Sequence, residues 1–139
     1  WRAEYWFGTQ PGTSASTSNP GTLPTSNGNP VPTYVRHFDG VFLLFLQNIV
    51  NNRHQLMLKF DWYDPNIKVK NAQIGKLGTN LSAADIKFST LGIGYAYLIN
   101  PQTKLILYYD IVKNEKTQLT GYTTDLKDNI LTCRLQFRF

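Results

Sequence analysis

The chain has 139 residues, of which 42% are hydrophobic, 14% aromatic and 17% charged. Its formal net charge is +5, but no basic run exceeds two residues, so the sequence indicates no nucleic-acid-binding patch. The longest apolar run, Val41 to Leu46, is far shorter than the roughly 20 residues of a membrane-spanning helix. A single cysteine, Cys133, excludes an intrachain disulfide and a multi-cysteine metal site. Because no Met or signal segment opens the chain, we expect a processed form or a fragment.

The chain begins with a strand pattern and then changes to a long polar segment. From Trp1 to Phe7 apolar residues occupy the odd positions, with Arg2 and Glu4 between them, which is the period of a β-strand. The stretch from Thr9 to Thr33 consists almost entirely of Ser, Thr, Pro, Gly and Asn and carries no charge. Such a segment cannot bury enough apolar surface to fold by itself, so one long flexible loop is predicted over residues 9–33.

Two further strands follow, joined by a short turn. Tyr34 to Gln47 has strand character but is apolar on both faces around its centre, and Ile49 to Asn52 is a turn signal. In His54 to Tyr63 large apolar residues alternate with mainly polar ones, which indicates one apolar and one polar face. Asp64-Pro65-Asn66 ends this strand, because proline lacks the N–H of a sheet ladder, and a second long loop is predicted over residues 65–85.

The C-terminal half repeats this arrangement. Ile86 to Leu98 is a predicted strand with large residues on one face and mostly small ones on the other, and Asn100 to Thr103 is a turn. Thr103 to Val112 alternates again and leads into a third loop over residues 113–128. A final strand, residues 129–139, alternates most regularly and ends on an aromatic residue.

Long polar loops and short turns therefore alternate strictly along six predicted strands. A soluble up-and-down sandwich or barrel has no reason to place every long loop at one end, whereas outer-membrane barrels combine short periplasmic turns with long extracellular loops. Two interfacial aromatic girdles are expected, with Phe7, Trp62 and Tyr109 towards the long loops and Tyr97, Phe137 and Phe139 towards the short turns. The pattern predicts an all-β fold, an antiparallel up-and-down transmembrane β-barrel.

Several segments carry a family resemblance. They are FDWYDPN at Phe60 to Asn66, LGIGYAYLINPQTKLILYYD at Leu91 to Asp110 and DNILTCRLQFRF at Asp128 to Phe139, with GTQPGT at Gly8 to Thr13 and YVRHFDG at Tyr34 to Gly40. Together they resemble the C-terminal part of the phosphate-selective porin O/P family, particularly its Bacteroidetes-type members. The resemblance covers most of the chain, but the N-terminal strands of that family are missing.

The resemblance implies a porin of the bacterial outer membrane that lets small anions such as phosphate diffuse through a water-filled barrel, typically as a homotrimer. Residues 1–139 would be the last six strands of a larger barrel, since bacterial membrane barrels begin at about 8 strands. Outer-membrane lipid and the barrel-insertion machinery are the implied partners. By the same resemblance Phe139 takes the place of the terminal aromatic insertion signal.

An anion pore needs positive side chains on the face opposite the lipid-facing one. By strand parity the candidates are Lys59, Lys104, Arg134 and Arg138, with Arg36 added if its strand places Phe45 outward. Fixed cations in a confined aqueous pore raise the local anion concentration, and guanidinium groups match phosphate oxygens bidentately. Asp61 and Asp110 share that face and partly cancel the field. The alternative is that these charges only wet a polar wall or pair with one another.

Other motifs favour no enzyme. His37 and Asp39 share a strand face, but no Ser or Cys nucleophile with a supporting motif accompanies them. Asp61 and Asp64 fall on opposite faces, which argues against a shared metal or an acid/base pair. Gly75 to Thr79 lacks the spacing of a phosphate-binding P-loop. Neither enzymatic activity nor a metal or other cofactor is predicted.

The open alternative is a soluble β-barrel or sandwich that binds a small ligand in its interior, with the apolar face inside. The two hypotheses differ in which face is wet. The membrane hypothesis predicts that one set of apolar side chains faces outward: Leu56, Leu58, Phe60, Leu105, Leu107, Leu135 and Phe137. A soluble barrel would instead bring these side chains together in a closed interior.

Overall fold

The computed structural model describes residues 1–17 and 24–139. The strands in chain order are β1 (Arg2–Thr13), β2 (Thr25–Ser26), β3 (Asn29–Pro30), β4 (Thr33–Ile49), β5 (His54–Asp64), β6 (Phe88–Asn100), β7 (Thr103–Asn114) and β8 (Ile130–Phe137). Two short 3-10 helices, Asn71–Gln73 and Ala83–Asp85, lie between β5 and β6. No helix among the described residues is long and apolar enough to cross a membrane.

Six of the strands form one antiparallel sheet in the order β1-β4-β5-β6-β7-β8, and β2 and β3 form a separate ribbon. Neighbours in the large sheet follow one another along the chain, apart from the ribbon inserted between β1 and β4. The prediction of an all-β antiparallel sheet of six strands is therefore confirmed. The sheet is open, with β1 and β8 as its edges in the described part of the chain.

The first strand is longer than its sequence pattern suggested. β1 continues to Thr13, which pairs with Thr33, so it extends into the loop predicted over residues 9–33. Threonine favours strands, and proline is tolerated in a strand that, like β1 in the described sheet, has a neighbour on one side only. Residues 18–23, in the middle of that predicted loop, lie outside the described residues.

The ribbon β2–β3 occupies the C-terminal part of the same connection. Its turn is formed by Asn27 and Gly28, whose φ angles are 51° and 78°. Two successive positive φ values match the twist of a two-residue hairpin, and the Asn-Gly pair adopts them readily. The polar composition of this segment therefore includes one specific hairpin signal.

All three long connections leave and re-enter the sheet at the same end, called here the long-loop end. They span residues 14–32, 65–87 and 115–129. The opposite, short-turn end has the turns at residues 50–53 and 101–102 and also both chain termini. Since the six strands run up and down, the alternation of loop lengths along the sequence becomes an asymmetry between the two ends.

The register gives the sheet two chemically different faces. Leu43, Phe60, Leu91 and Ile111 lie opposite one another across β4 to β7, on what we call the apolar face. On the other side, the polar face, the register aligns Lys59 with Gly92 and Asp110. Of the seven side chains predicted to face outward, five are exposed, namely Leu58, Phe60, Leu107, Leu135 and Phe137. The other two, Leu56 and Leu105, are half-buried. The seven side chains do not converge on a closed interior.

Very little of the described chain forms a hydrophobic core. The fully buried hydrophobic residues are Ile74, Ile86 and Ala96. Ile74 and Ile86 belong to the loop between β5 and β6, and Ala96 lies on the polar face, opposite Gln55. The apolar face therefore contributes no buried core residue.

The turn between β4 and β5 contains a strained residue. Val50 has a φ of 59°, a region that β-branched residues rarely adopt, and its side chain is 93% exposed, so packing does not offset the strain. We expect Val50→Asn to raise the free energy of unfolding by about 1 kcal/mol, because asparagine tolerates this conformation. Urea unfolding measures the change. Val35→Asn, at an exposed extended position of β4, is the control and should not stabilise; an equal response of both variants would contradict the prediction.

Candidate functional site

The centre of the polar face contains a charge cluster that spans three strands. The Lys59 ammonium lies 3.2 Å from Asp61 Oδ2 on its own strand and 3.3 Å from Asp110 Oδ1 on β7. Gly92 lies between Lys59 and Asp110 in the register, so no β6 side chain separates the two at this position. Lys59 is thus compensated by two carboxylates, and the cluster has a net charge of −1.

Tyr108 lies flat along β6 beside this cluster. A methyl group at Gly92 or at Gly94 would overlap with its ring, and the Lys59 ammonium lies 5.9 Å from the ring centroid. The sequence pattern identified the small residues of β6, but not the side chain that occupies their space. Glycine on this face therefore accommodates side chains from the neighbouring strands.

The other predicted cations on the sheet lie nearer to the short-turn end. Lys104 lies opposite Gln136, and Arg134 lies opposite Ile106, both on the polar face. Arg138 follows β8, and its backbone N–H donates to the Gln102 carbonyl at 2.8 Å. Within the described residues none of these three cations forms an ion pair.

Arg53 joins this group, although strand parity did not identify it because it lies in a turn. Lys104 lines one shallow cavity with Gln136 and Arg138 and a second with Arg53 and Gln55. The cations at the short-turn end therefore surround a shared polar surface on the sheet. The only sequence signal that would have indicated Arg53 is that it is a basic residue in a short turn, at the same end of the sheet as the basic residue Lys104 of the polar face.

Negative charge is distributed differently. Three of the nine acidic residues, Glu4, Asp61 and Asp110, lie in the middle of the polar face. The other six lie at the long-loop end: Asp39, Asp64, Asp85, Glu115, Asp125 and Asp128. The charged side chains at the short-turn end of the polar face are consequently all positive, and none of them forms an ion pair within the described residues. Lys104, Arg134, Arg138 and Arg53 form what we call the cationic end.

The expectation that Arg36 is an accessible cation needs correction. Its strand does place Phe45 on the apolar face and Arg36 on the polar face, but the Arg36 side chain is only 3% exposed. Its Nε donates to Asp85 Oδ1 at 2.7 Å, and Nη1 donates to the Thr13 carbonyl at 2.8 Å. A loop carboxylate 49 residues away neutralises the charge, which no local pattern could reveal.

Asp85 is the centre of this buried contact. Burial opposes its ionisation, but hydrogen bonds from Arg36, from the Asn66 amide at 2.8 Å and from the Ser82 N–H at 3.0 Å hold the pKa of Asp85 below its usual value. Ser82 also donates through its hydroxyl to the Ser14 carbonyl. The Arg36–Asp85 pair therefore ties the loop between β5 and β6 to β4 and to the end of β1.

The two C-terminal long loops also pack against each other. The Gln118 N–H donates to the carbonyl of the buried Ile74 at 3.0 Å. Gly75 has a φ of 83°, and a side chain there would overlap with the backbone of Leu119. The Glu115 N–H donates to the Lys87 carbonyl at 3.0 Å. These contacts join the two C-terminal loops to each other at the long-loop end.

The apolar face ends in polar contacts near the long loops. The Lys87 ammonium lies 5.6 Å from the Trp62 ring centroid, and the Tyr5 hydroxyl donates to Asp39 at 3.3 Å. His37 Nε2 lies 2.8 Å from the Lys68 ammonium. His37 and Asp39 therefore contact other residues rather than each other, as expected for a structural role at the rim.

Comparisons with known proteins add no assignment: no family model, curated protein or solved structure matches the chain. Within the described residues no cluster of His, Cys, Asp or Glu could hold a metal ion. Phe139 follows the end of β8 with an exposed ring. Its role as an insertion signal stays a prediction.

Proposed function

We propose that the chain forms part of the wall of an outer-membrane β-barrel porin through which small anions such as phosphate diffuse. The apolar face carries this proposal. Thirteen of its large side chains are each at least 38% exposed: Tyr5, Phe7, Leu43, Phe45, Leu58, Phe60, Leu91, Ile93, Leu107, Tyr109, Leu131, Leu135 and Phe137. Burying one such side chain contributes about 1.5–3 kcal/mol, so a continuous face of them is very unfavourable in water and favourable in lipid.

The dimensions and ends of the sheet agree with a bilayer-spanning wall. The 13 residues of β6 extend about 40 Å along the strand, or about 30 Å across the bilayer at a tilt of about 40°, which is enough to span the roughly 25 Å apolar band of such barrels. The long loops would lie outside the cell and the short turns in the periplasm. Closure needs additional strands beside β1 and β8, and the homotrimer and the insertion machinery follow from the family resemblance alone.

Anion preference is supported by the cationic end. Within the described residues Lys104, Arg134, Arg138 and Arg53 form no ion pair, whereas Lys59 and Arg36 are compensated. In a narrow aqueous passage fixed uncompensated cations attract anions more strongly than in bulk water. We therefore place the anion-attracting surface at the periplasmic mouth of the proposed pore and omit Lys59 and Arg36 from it.

The direct test is the conductance of the full-length protein in planar lipid bilayers. A porin gives stepwise increases in current after insertion, and its solubility depends on detergent. A protein that stays monodisperse without detergent and never conducts would overturn the proposal in favour of the soluble alternative.

Selectivity should change when the cationic end is neutralised. In Arg134→Gln/Arg138→Gln we expect the anion-over-cation permeability ratio to fall about two- to threefold in 0.1 M salt, and less at 1 M, where screening is stronger. The reversal potential in a salt gradient measures this ratio. Lys113→Gln/Lys116→Gln removes equal charge at the long-loop end and is the matched control. An unchanged reversal potential in Arg134→Gln/Arg138→Gln would mean that these arginines only make the pore lining hydrophilic and do not determine its selectivity.

A further inference from the structure

The polar face of β1 and β4 contains an alternation of aromatic residues and glycine. Gly8 lies opposite Phe38, Trp6 opposite Gly40, and Glu4 opposite Phe42. The three rings therefore alternate between the two strands and follow one another along the sheet. We call Phe38, Trp6 and Phe42 the aromatic strip.

Glycine allows the rings to lie against the backbone. A β-carbon at Gly40 would be 2.7 Å from Cε2 and Cζ2 of the Trp6 indole, and one at Gly8 would be 3.2 Å from Cζ of Phe38. Such distances leave no room for a side chain between ring and strand. Trp6 and Phe38 consequently each cover the glycine of the neighbouring strand, whereas Phe42 lies opposite Glu4.

Core packing does not explain the strip. None of its rings is among the buried hydrophobic residues, and the Trp6 side chain is 37% exposed. The ribbon β2–β3, the second sheet of the described residues, makes no extensive contact with the strands that carry the strip. Aromatic side chains on a wet surface are unfavourable in water, so their position there suggests contact with a ligand.

Hydrogen-bonding groups border the strip on both sides. Glu4 forms an ion pair with Arg2, whose guanidinium carbon lies 5.9 Å from the Phe42 ring centroid. On β5, Asp61 lies opposite Phe42. Tyr63 lies opposite Gly40 and donates its hydroxyl to Gln10 at 2.9 Å. The rings are thus bordered by the carboxylates of Glu4 and Asp61 and by amide and hydroxyl groups.

We propose that the aromatic strip binds neutral oligosaccharides. A sugar ring has C–H faces of apolar character and hydroxyl groups around its edge. The C–H faces pack on aromatic rings through dispersion and the hydrophobic effect, and the hydroxyl groups donate to carboxylates in charge-assisted hydrogen bonds. Because Arg2 and Lys59 are paired with these carboxylates, the strip offers anions no uncompensated cation, so the strip and the cationic end select different solutes. The inference depends on the proposed function in one respect: it assumes that the polar face lines the pore.

Maltohexaose is the probe. Two measurements on the full-length protein test separately whether the strip binds saccharide and whether the protein forms a pore. Calorimetry of the folded protein in detergent reports binding whether or not a pore forms, and block of the ionic current reports binding inside a pore. We expect both to show binding, and Trp6→Ala to weaken it about tenfold or more. Gly40→Ala, which keeps the indole but displaces it from the strand, should weaken binding as well.

Tyr5→Ala changes an aromatic residue on the opposite face of β1 and should leave the affinity for maltohexaose unchanged. Absence of calorimetric binding to the folded protein, or equal affinity in the Trp6→Ala variant, would overturn the saccharide site even if the pore conducts. Binding that depends on Trp6 in a protein that never conducts would support the saccharide site and overturn the porin. Phe42→Leu, which keeps an apolar side chain in the strip, should weaken binding without the volume loss of an alanine.

Discussion

Asp85→Asn is expected to lower the free energy of unfolding by about 3–5 kcal/mol and to release the loop between β5 and β6. The substitution keeps the shape of the side chain but leaves the Arg36 guanidinium buried without a counter-charge. The hydrogen bonds that Asp85 accepts from Arg36, Asn66 and Ser82 would weaken or rearrange. Because the loop is tied to β1 and β4 through this pair, amide hydrogen exchange should accelerate over residues 65–87.

The same pair gives the wild-type loop an acid-dependent stability. The pKa of Asp85 is lowered in the folded state, so its stabilising contribution is fully present above the unfolded pKa of about 4. That contribution is lost as the pH falls below 4 and passes the folded pKa. Protection factors, which correct exchange rates for their intrinsic pH dependence, should therefore fall for residues 65–87 of the wild type as the pH is lowered below 4, and should change much less in the Asp85→Asn variant.

Glu4→Gln is the matched control, because Glu4 forms an ion pair with Arg2 in which both side chains are exposed. Such a pair contributes at most about 1 kcal/mol, so the control should leave loop exchange unchanged. Wild-type exchange rates in the Asp85→Asn variant at pH 7 would show that the Arg36–Asp85 pair does not hold the loop.

Arginine on the apolar face is expected to have the second large effect. In lipid vesicles Leu107→Arg should lower the free energy of unfolding by about 2–4 kcal/mol, because Leu107 lies near the middle of β7 and a charge there would enter the bilayer centre. Ile111→Arg, on the same face but closer to the long loops, should lower it by only about 0–1 kcal/mol, since the penalty falls towards the interface.

Thr132→Arg is the control on the polar face, next to Tyr108 in the register, and should cause little change in a water-filled pore. Urea unfolding in vesicles measures all three variants. The gradient along β7 separates the two hypotheses, because a closed soluble interior would penalise Arg at positions 107 and 111 alike. Equal costs at the two positions would contradict a lipid-facing surface.

Much of the architecture followed from local pattern. A strand has a side-chain period of two, so the alternation in His54 to Tyr63 and in Thr103 to Val112 assigned most residues to a face before any partner was known. The loop lengths likewise placed the long connections at one end. Pattern was weaker at strand ends, where the polar residues from Thr9 to Thr13 join the sheet because Thr33 to His37 pairs with them.

The functional surface depended on contacts that a period of two does not specify. The alternation of side chains along β5 predicted Lys59 on the polar face. Only the register of β5, β6 and β7, in which Gly92 lies between Lys59 and Asp110, showed that Asp110 neutralises this lysine. Likewise, Arg36 was assigned to the correct face, but its charge is neutralised by Asp85. Asp85 lies in a loop, where the sequence has no strand periodicity from which its position could be predicted. The sequence by itself determines which side of the strand a residue occupies, because that depends on backbone geometry alone. The tertiary structure decides which cations stay uncompensated, because the partners come from distant segments that meet only when the sheet and its loops are assembled.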